Sequence, residues 1–345
     1  MSAPLKILVY GAGAIGTYVG GSLALNGHEV TFQEIPQAAE YLRENGFRLN
    51  IDGQTKTIIG SSITASVKES LEQGPFDVCV FALKSYDTEA ALKQIAPHST
   101  DFPPILCLQN GVENEAAITE VLGPDKVIAG TVTSALGKPG PGEVTLERLR
   151  GVGIATNHPL SRKLAEAFNE AGLNAQLFRN AAAMKWSKLL TNLLANASSA
   201  ILDMPPGEIF ANPSLYKLEI MQLREALAVM RAQNIPVVDL PGTPVRALAF
   251  AARSLPLGIS RPLLTRAVGR GRGAKMPSFH IDLHSGRGKS EVGWLNGVVA
   301  GIGKELSIKT PVNQLLAETL SQLTSGQMPL DKYQHKAKDF LRQLP

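Results

Sequence analysis

The chain has 345 residues, of which 44% are hydrophobic and 19% charged, and its formal net charge is +4. These values are typical of a globular protein with more than one domain, and they exclude a disordered or membrane-embedded chain. The N-terminal apolar run leads straight into a glycine-rich turn, and no run of about 18 apolar residues follows. We therefore expect a cytoplasmic protein that neither crosses a membrane nor, with so small a charge, requires nucleic acid.

The first predicted strand, Leu5–Tyr10, enters a turn that opens a helix extending to about Asn26. The turn reads GAGAIG over residues 11–16, which is the dinucleotide-binding pattern in its required context of strand, turn and helix. Its glycines permit a tight bend and close approach of a pyrophosphate, and the helix N-terminus attracts that anion. The residues predicted to bind a dinucleotide here are Gly11, Gly13, Ala14, Ile15 and Gly16.

The second predicted strand, His28–Phe32, ends near Glu34, at the position that contacts the adenosine ribose in dinucleotide-binding folds. A carboxylate there accepts a hydrogen bond from a free ribose 2′-hydroxyl and repels a 2′-phosphate, which favours NAD(H) over NADP(H). A solvent-exposed loop carboxylate is the alternative interpretation of Glu34.

Two further predicted strands, Val78–Leu83 and Ile105–Leu108, are each followed by polar residues. Lys84 follows the first strand and Asn110 the second. Because ligands of open α/β sheets bind at the carboxyl ends of parallel strands, both residues are candidate cofactor contacts. A surface lysine and an ordinary Asn-Gly turn are the alternative interpretations.

The remaining N-terminal patterns predict a hairpin around Asp52-Gly53, a strand at Val127–Val132 and a last strand at Ala175–Phe178. The glycine- and proline-rich stretch 137–142 indicates a loop or turn, and the segments 143–149 and 153–156 are predicted to continue the main sheet. We place the domain boundary after residue 180, which gives a domain of residues 1–180 and another of residues 181–345.

From residue 181 onward the hydrophobic patterns are helical, which predicts an all-α second domain. Met184–Ala200 is predicted to be one helix on which Lys188, Asn192 and Asn196 recur every four residues and so share a face. This polar stripe either lines a site or faces solvent, and the segment alone fits both interpretations equally well.

The later part of the chain contains a basic segment, residues 253–275, inside a stretch from Leu240 to Ile281 that has no Asp or Glu. A solvated loop or an oligomer contact is expected there, and RNA binding is the alternative. Beyond it, Lys289–Leu306 is predicted to form a helix that carries Glu291 near its start. Taken alone, Glu291 is expected to be a surface carboxylate.

Together these residues resemble the ketopantoate (2-dehydropantoate) reductase family. The pattern Lys-x₃-Asn-x₃-Asn, followed far downstream by Glu-x₄-Asn-Gly, is much more specific than the glycine turn. The motifs that carry the resemblance occur in the family's order over nearly the whole chain: GAGAIG, Leu83-Lys84, Gln109-Asn110-Gly111, Trp186-Ser187-Lys188-Leu189 with Asn192 and Asn196, Ser278 with Asp282, and Ser290-Glu291 leading to Leu295-Asn296-Gly297.

The resemblance implies an α/β fold, with an N-terminal Rossmann-type dinucleotide-binding domain and an all-α C-terminal domain, and an active site in the cleft between them. It implies reduction of a 2-oxo acid, in the first place ketopantoate, by hydride from NADP(H). Lys188 matches the catalytic general acid, and Glu291 supports substrate binding and catalysis. The implied substrate contacts are Asn192, Asn196 and Ser278, and the implied cofactor-side contacts are Lys84 and Asn110.

Neither a metal ion nor a nucleic acid partner is expected, and a homodimer is left open. The chain departs from the family where Gln33-Glu34-Ile35 replaces a basic residue after the second strand, which again favours NAD(H). Two alternatives are a related reductase for another 2-oxo acid and a non-catalytic dinucleotide-sensing or RNA-associated protein. The presence of Lys188 favours an enzyme, because a sensor needs no proton donor.

Overall fold

The structure is a computed structural model that describes residues 3–271 and 275–344, apart from the side chains of residues 267–271. The chain forms two compact units. The first comprises the described residues up to Lys185 together with Leu240–Thr243. The second comprises Trp186–Asp239 and the described residues from Pro244 onward.

The first unit contains two sheets. Its strands are β1 Lys6–Tyr10, β2 Glu29–Gln33, β3 Phe47–Ile51, β4 Gln54–Ile58, β5 Ser62–Thr64, β6 Val78–Phe81, β7 Ile105–Cys107, β8 Val127–Val132, β9 Ala135–Gly140, β10 Glu143–Arg148, β11 Val152–Ala155 and β12 Ala175–Phe178. The main sheet has the order β12-β11-β8-β7-β6-β1-β2-β5, and the smaller one the order β4-β3-β10-β9.

The main sheet is doubly wound. Strands β5, β2, β1, β6, β7 and β8 are parallel neighbours, whereas β11 is antiparallel to β8. The strand order reverses at β1, since β2 lies on one side of β1 and β6 on the other. This arrangement confirms the Rossmann-type prediction, and ligands of such sheets bind beyond the carboxyl ends of the strands at that reversal.

The smaller sheet confirms the hairpin at Asp52-Gly53, because β3 and β4 pair antiparallel around it. One prediction is confirmed only in part, and one is wrong. The stretch 137–142 forms a turn at residues 141–142, but its first four residues belong to β9. Strand β10 joins the smaller sheet instead of continuing the main one. Since β9 is an edge strand, it tolerates Pro139, whose nitrogen cannot donate a hydrogen bond.

The first helix, α1 (Ala14–Leu25), packs between the two sheets. A Cβ atom on Gly20 would lie 2.6 Å from Val9 of the main sheet, and one on Gly21 would overlap Ile58 of the smaller sheet. The helix can therefore approach both sheets only because glycines stand at these positions. The helices of the first unit are α1 Ala14–Leu25, α2 Pro36–Asn45, α3 Val67–Glu72, α4 Thr88–Ile95, α5 Asn114–Leu122 and α6 Ser161–Glu170.

The described part of the second unit is helical, which confirms the all-α prediction. The division between the units falls inside the helix Ala181–Leu193. The helix Pro213–Ala232 begins at a cap in which the Asn212 side chain accepts hydrogen bonds from two backbone N–H groups. The helices are α7 Ala181–Leu193, α8 Ala197–Leu202, α9 Pro206–Ala211, α10 Pro213–Ala232, α11 Val245–Ser254, α12 Leu257–Gly271, α13 Ser278–Leu283, α14 Asn296–Glu305, α15 Pro311–Thr324 and α16 Ala337–Leu341. Within the described ranges, no helix has both the length and the hydropathy needed to cross a membrane.

In the second unit, the predicted extents of two helices and one predicted loop are wrong. The helix expected over Met184–Ala200 breaks after Leu193, and Ala195 in the break has a positive φ of +48°. The helix expected over 289–306 begins only at Asn296, because residues 291–294 form a separate 3₁₀ turn. The basic segment is helical in α12 instead of a loop, while Arg272 and the side chain of Arg270 lie outside the described residues.

Candidate active site

The glycine loop joins β1 to α1. Gly11 has a φ of +96°, and its N–H donates a hydrogen bond to the Gln33 carbonyl oxygen over 2.9 Å. A Cβ atom on Gly16 would collide with the Gly11 carbonyl oxygen, whereas one on Gly13 would meet no atom within 4 Å. The loop is thus closely packed at both ends and open in the middle, where a ligand can approach the backbone.

The N-terminus of α1 is suited to an anion. In this part of the described chain, the N-cap residue Gly13 has no side chain that could accept hydrogen bonds from the first backbone N–H groups. The first turn of the helix contains no acidic residue. The first backbone N–H groups of a helix lack intrahelical partners and carry a partial positive charge. The backbone at Ala14 and Ile15 can therefore donate to a phosphate, as the sequence pattern predicts.

Glu34 is hydrogen-bonded to the same loop. Its Oε1 accepts from the Ala12 N–H over 2.6 Å and its Oε2 from the Ile35 N–H over 3.2 Å. The side chain is half-buried at the end of β2. The carboxylate is consequently fixed beside the glycine loop, which differs from the solvent-exposed loop carboxylate considered above.

The loops after β6 and β7 are joined by a hydrogen-bond network. The Asn110 carbonyl oxygen accepts from Ser85 Oγ over 2.9 Å and from Asn114 Nδ2 over 2.6 Å. Gln109 Nε2 donates to the Leu83 carbonyl oxygen over 3.2 Å. The structure therefore brings the backbone of Asn110 to the loop that carries Lys84, and both side chains are half-buried.

Lys185 is a functional candidate that the sequence patterns did not single out. The residue is 4% exposed, and its Nζ donates to the Gln109 carbonyl oxygen over 2.7 Å. The same Nζ lies 3.3 Å from the Gly130 carbonyl oxygen and 2.7 Å from Glu115 Oε1. Lys185 thus fixes the backbone directly before Asn110. The only sign of Lys185 in the sequence is that a lysine stands among apolar residues of α7, one position away from the spacing of the polar stripe.

Lys188, Asn192 and Asn196 belong to the second unit. Lys188 and Asn192 lie one turn apart on α7 and are half-buried, whereas Asn196 is buried and directly precedes α8. Asn196 Nδ2 donates to the Asn192 carbonyl oxygen over 3.0 Å. The three residues therefore follow one another across the helix break instead of along a single helix.

Asn196 also contacts the start of α13. Its Nδ2 is 3.3 Å from Ser278 Oγ, and its Oδ1 accepts from the Phe279 N–H over 3.0 Å. Two predicted substrate residues that are 82 positions apart are thereby brought into contact. Ser278 is itself exposed, so the pair is accessible from one side.

A buried carboxylate on α10 stabilises the break between α7 and α8. Glu219 Oε2 accepts from the Ala195 N–H over 2.7 Å, and its Oε1 accepts from Ser198 Oγ over 2.6 Å. Gln222 Nε2 donates to the Leu193 carbonyl oxygen over 3.2 Å. These bonds satisfy backbone groups that a helix end would otherwise leave unpaired, which is why the chain can bend here. Sequence reasoning missed Glu219.

Glu291 begins the 3₁₀ turn and is only 1% exposed, so the interpretation as a surface carboxylate is wrong. Ser290 Oγ caps this turn by accepting from the Val292 N–H over 3.2 Å. The nearby Asn296 has a different environment, because its Nδ2 donates to Gln222 and Asn313 over 3.1 and 3.0 Å in the buried interior. Asn296 therefore has a packing role.

Comparison with known proteins identifies relatives over nearly the full length. The chain is 29% identical over 317 residues to the 2-dehydropantoate 2-reductase of Pyrococcus horikoshii, covering 90% of this chain and 95% of the relative. The crystal structure of a PanE/ApbA family ketopantoate reductase from Ralstonia eutropha JMP134 matches with a TM-score of 0.78 and 27% identity, covering 94% of this chain and 99% of that one. D-mandelate dehydrogenase, solved with NADH and anilino(oxo)acetate, shares the fold with a TM-score of 0.76 at 21% identity and covers 93% and 99%.

Two family models match consecutive parts of the chain. The model of ketopantoate reductase PanE/ApbA matches residues 7–157, and that of the ketopantoate reductase PanE/ApbA C terminal matches residues 180–324. The first match contains the glycine loop and the strand ends, and the second contains Lys188, Asn196 and Glu291. The chain therefore belongs to the ketopantoate reductase PanE/ApbA family and is an oxidoreductase that uses a nicotinamide dinucleotide.

Proposed function

We propose that this protein reduces 2-dehydropantoate (ketopantoate) to pantoate with hydride from a reduced nicotinamide dinucleotide. The relative from Pyrococcus horikoshii bears that activity's name. The observation that carries the proposal is the contact between Asn196 and Ser278 at the break after α7. Amide and hydroxyl groups are neutral hydrogen-bonding groups, which suit the carboxylate and hydroxyl oxygens of a small 2-oxo acid.

Lys188 is the proposed general acid. Hydride addition to the C2 carbon turns the carbonyl oxygen into a developing alkoxide, which an ammonium group stabilises and then protonates. Lys188 is half-buried, and partial exclusion of water strengthens its attraction to that charge. The proton leaves Nζ for the oxygen, the product is the 2-hydroxy acid, and Lys188 then regains a proton from solvent.

Asn192, Asn196 and Ser278 are the proposed substrate-binding residues. The hydrogen bonds of Asn196 to α13 fix its amide, so that little conformational entropy is lost when the substrate binds. Glu291 is the proposed acidic partner in substrate binding and catalysis. Ketopantoate has a hydroxyl group that can donate to a carboxylate, and burial strengthens such a bond.

The first unit has the features needed for the dinucleotide. The open space beside Gly13 and the uncapped start of α1 fit a pyrophosphate held by Gly11, Gly13, Ala14, Ile15 and Gly16. When bound, the reduced nicotinamide supplies the hydride. Lys84 and Asn110 are the proposed contacts from the loops after β6 and β7, and Lys185 positions the second of these loops.

We further propose that the enzyme prefers NADH to NADPH. The Glu34 carboxylate, fixed beside the glycine loop, would accept a hydrogen bond from a ribose 2′-hydroxyl. A 2′-phosphate at the same place would meet a like charge. The family resemblance alone favours NADP(H), so this preference depends on Glu34.

Initial rates with ketopantoate, measured in parallel with NADH and NADPH, test both proposals. We expect saturable turnover, with kcat/KM at least roughly tenfold higher for NADH. A strong NADPH preference would contradict the assignment of Glu34 but not that of the reaction. If the enzyme turns over only a different 2-oxo acid, the assignment of ketopantoate as the substrate is wrong. The absence of any turnover, together with salt-dependent RNA binding, would favour the RNA-associated alternative.

A matched pair of variants assigns the preference to one side chain. Glu34→Ala should reduce the ratio of kcat/KM values for NADH and NADPH, because it removes both the acceptor for the 2′-hydroxyl and the repulsive charge. Glu29→Ala, at the exposed start of the same strand β2, removes an equal charge and should leave the ratio unchanged. If the NADH-to-NADPH ratio of kcat/KM is the same in all three proteins, Glu34 does not determine the cofactor preference.

A further inference from the structure

We propose a binding site for a divalent transition-metal ion of the zinc class at Asp203, His280 and His284 in the second unit. The three potential ligand atoms, one from each side chain, all lie within 4.8 Å of one another. His280 Nε2 is 2.7 Å from Asp203 Oδ1, and the two imidazole rings have centroids 4.3 Å apart. Nothing in the reductase reaction uses these side chains.

Two backbone segments bring the ligands together. His280 and His284 are four residues apart at α13 and its C-terminal cap, so that their side chains project from one face. Asp203 ends α8 with a left-handed φ of +52°, a conformation that aspartate tolerates better than most residues. The sequence showed only the His-x₃-His spacing, because the carboxylate comes from a segment far earlier in the chain.

The donor set has the chemistry of a zinc site. Two imidazole nitrogens and one carboxylate oxygen are ligands that zinc commonly takes, and three protein ligands leave a coordination position for water. Gln334 Nε2 donates to Asp203 Oδ2 over 2.8 Å, which leaves Oδ1 directed to His280. Such hydrogen bonds to a ligating carboxylate orient it toward the metal.

Binding of the ion requires a change of protonation and a small adjustment of the side chains, because two ligand atoms of a tetrahedral zinc site lie farther apart than the 2.7 Å between His280 Nε2 and Asp203 Oδ1. The short contact between His280 and Asp203 is a hydrogen bond, and a metal ion coordinated by both atoms would take the place of its proton. His284 is exposed and can complete the site without disturbing the core. The proton that leaves the imidazole goes to solvent.

The site would connect α8 and α13 at a second point. Asn196 at the start of α8 already bonds to Phe279 of α13, and Asp203 at the end of α8 bonds to His280. A bound ion would therefore hold the segment that carries Ser278 more firmly. Any effect of the ion on substrate binding rests on the proposed function, whereas metal binding itself does not.

The test is a titration of the chelator-treated full chain with Zn²⁺ by calorimetry, and with Co²⁺, whose visible absorption reports a low coordination number. We expect one ion per chain at this site and a higher melting temperature with Zn²⁺. His284→Ala and Asp203→Asn should each weaken Zn²⁺ binding by on the order of 10- to 100-fold or more. His98→Ala, a histidine of the first unit, should change neither affinity nor stabilisation.

The titration contains neither substrate nor dinucleotide, so it measures metal binding independently of the reductase reaction. Loss of the cobalt spectrum and of the zinc-dependent stabilisation in His284→Ala, with unchanged melting temperature in chelator, supports the site. Undiminished affinity in both ligand variants, or no saturable binding to the unaltered chain, overturns it. Reductase activity of the chelator-treated enzyme is a separate measurement, so failure of this proposal leaves the proposed function standing.

Discussion

The candidate cofactor region and the candidate substrate region are built in different ways. In the first unit, six consecutive residues form the glycine loop, and its ligand groups are backbone N–H groups exposed by missing side chains. In the second unit, the proposed ligand groups are side chains from α7, the break after it, α13 and the 3₁₀ turn. At the break, the backbone is held by Glu219, a buried carboxylate on α10.

The difference indicates how each region should respond to substitution. A backbone-built site changes when a side chain is added to it, and the effect falls on affinity. A side-chain-built site changes when a side chain is removed, and the effect falls on chemistry or on packing.

Lys188→Ala removes the proposed proton donor of the second unit. We expect kcat to fall by on the order of 10²- to 10⁴-fold, the usual contribution of a general acid, while the affinity for the reduced dinucleotide is retained. Steady-state rates and fluorescence titration with NADH measure the two quantities. Lys217→Ala, an exposed lysine on α10, is the control. Near-normal turnover in Lys188→Ala would contradict the assignment.

Lys185→Met tests whether side chains also matter in the backbone-built region. The change leaves Glu115 without its cation, which should lower the free energy of unfolding by about 3 kcal/mol, at the low end for a buried ion pair because Glu115 keeps some exposure. Urea unfolding followed by circular dichroism measures the loss. Lys68→Met, an exposed lysine on α3, is the control.

A double variant separates the charge from the packing. Lys185→Met combined with Glu115→Gln removes both charges, so most of the lost stability should return. The Gln109 carbonyl oxygen would still lack its donor, and the Michaelis constant for NADH should therefore remain raised. An unchanged Michaelis constant would show that Lys185 does not position the Asn110 loop.

The glycine loop could be predicted because everything that shapes it is local. The order strand, GAGAIG, helix fixes the tight bend at Gly11. The close approach of Gly16 to the Gly11 carbonyl oxygen joins residues that are only five positions apart in the sequence. The smaller sheet was harder to predict, because β10 pairs with β3 from far earlier in the chain. Strand pairing of that kind has no local signal.

The polar stripe of the second unit could be predicted only in part. Spacing identified Lys188, Asn192 and Asn196, but it predicted one helix because helical periodicity continues through the break. The bend depends on Glu219, which lies 24 positions from Ala195 and looks in the sequence like any polar residue of a long helix. Lys185 and Asp203 were missed for the same reason, since their partners are distant in sequence.

Gly13→Ala tests the open part of the glycine loop. Because a Cβ atom there meets no atom within 4 Å, the variant should fold with unchanged stability. The methyl group would occupy the space expected for the pyrophosphate, and such crowding costs about 1–3 kcal/mol, or roughly 5- to 150-fold in dinucleotide affinity. The control is Ala24→Gly on α1, the helix that follows Gly13. Gly27→Ala is unsuitable as a control because Gly27 has a positive φ. Unchanged affinity for NADH would contradict the assignment of the loop.

Asp203→Asn is expected to have the smallest effect and tests a side-chain contact by its pH dependence. The hydrogen bond from His280 lowers the pKa of Asp203, so the folded chain binds this proton more weakly than the unfolded chain does. The stabilisation is therefore present above the ordinary value of about 3.9 and is lost as the pH falls through the lower folded value. Asparagine keeps the left-handed conformation but cannot ionise. Urea unfolding in chelator should show that the unaltered chain is the more stable near neutral pH and that the difference shrinks as the pH falls below about 4. A difference that stays constant down to the acid transition would mean that the bond to His280 does not depend on the charge of Asp203.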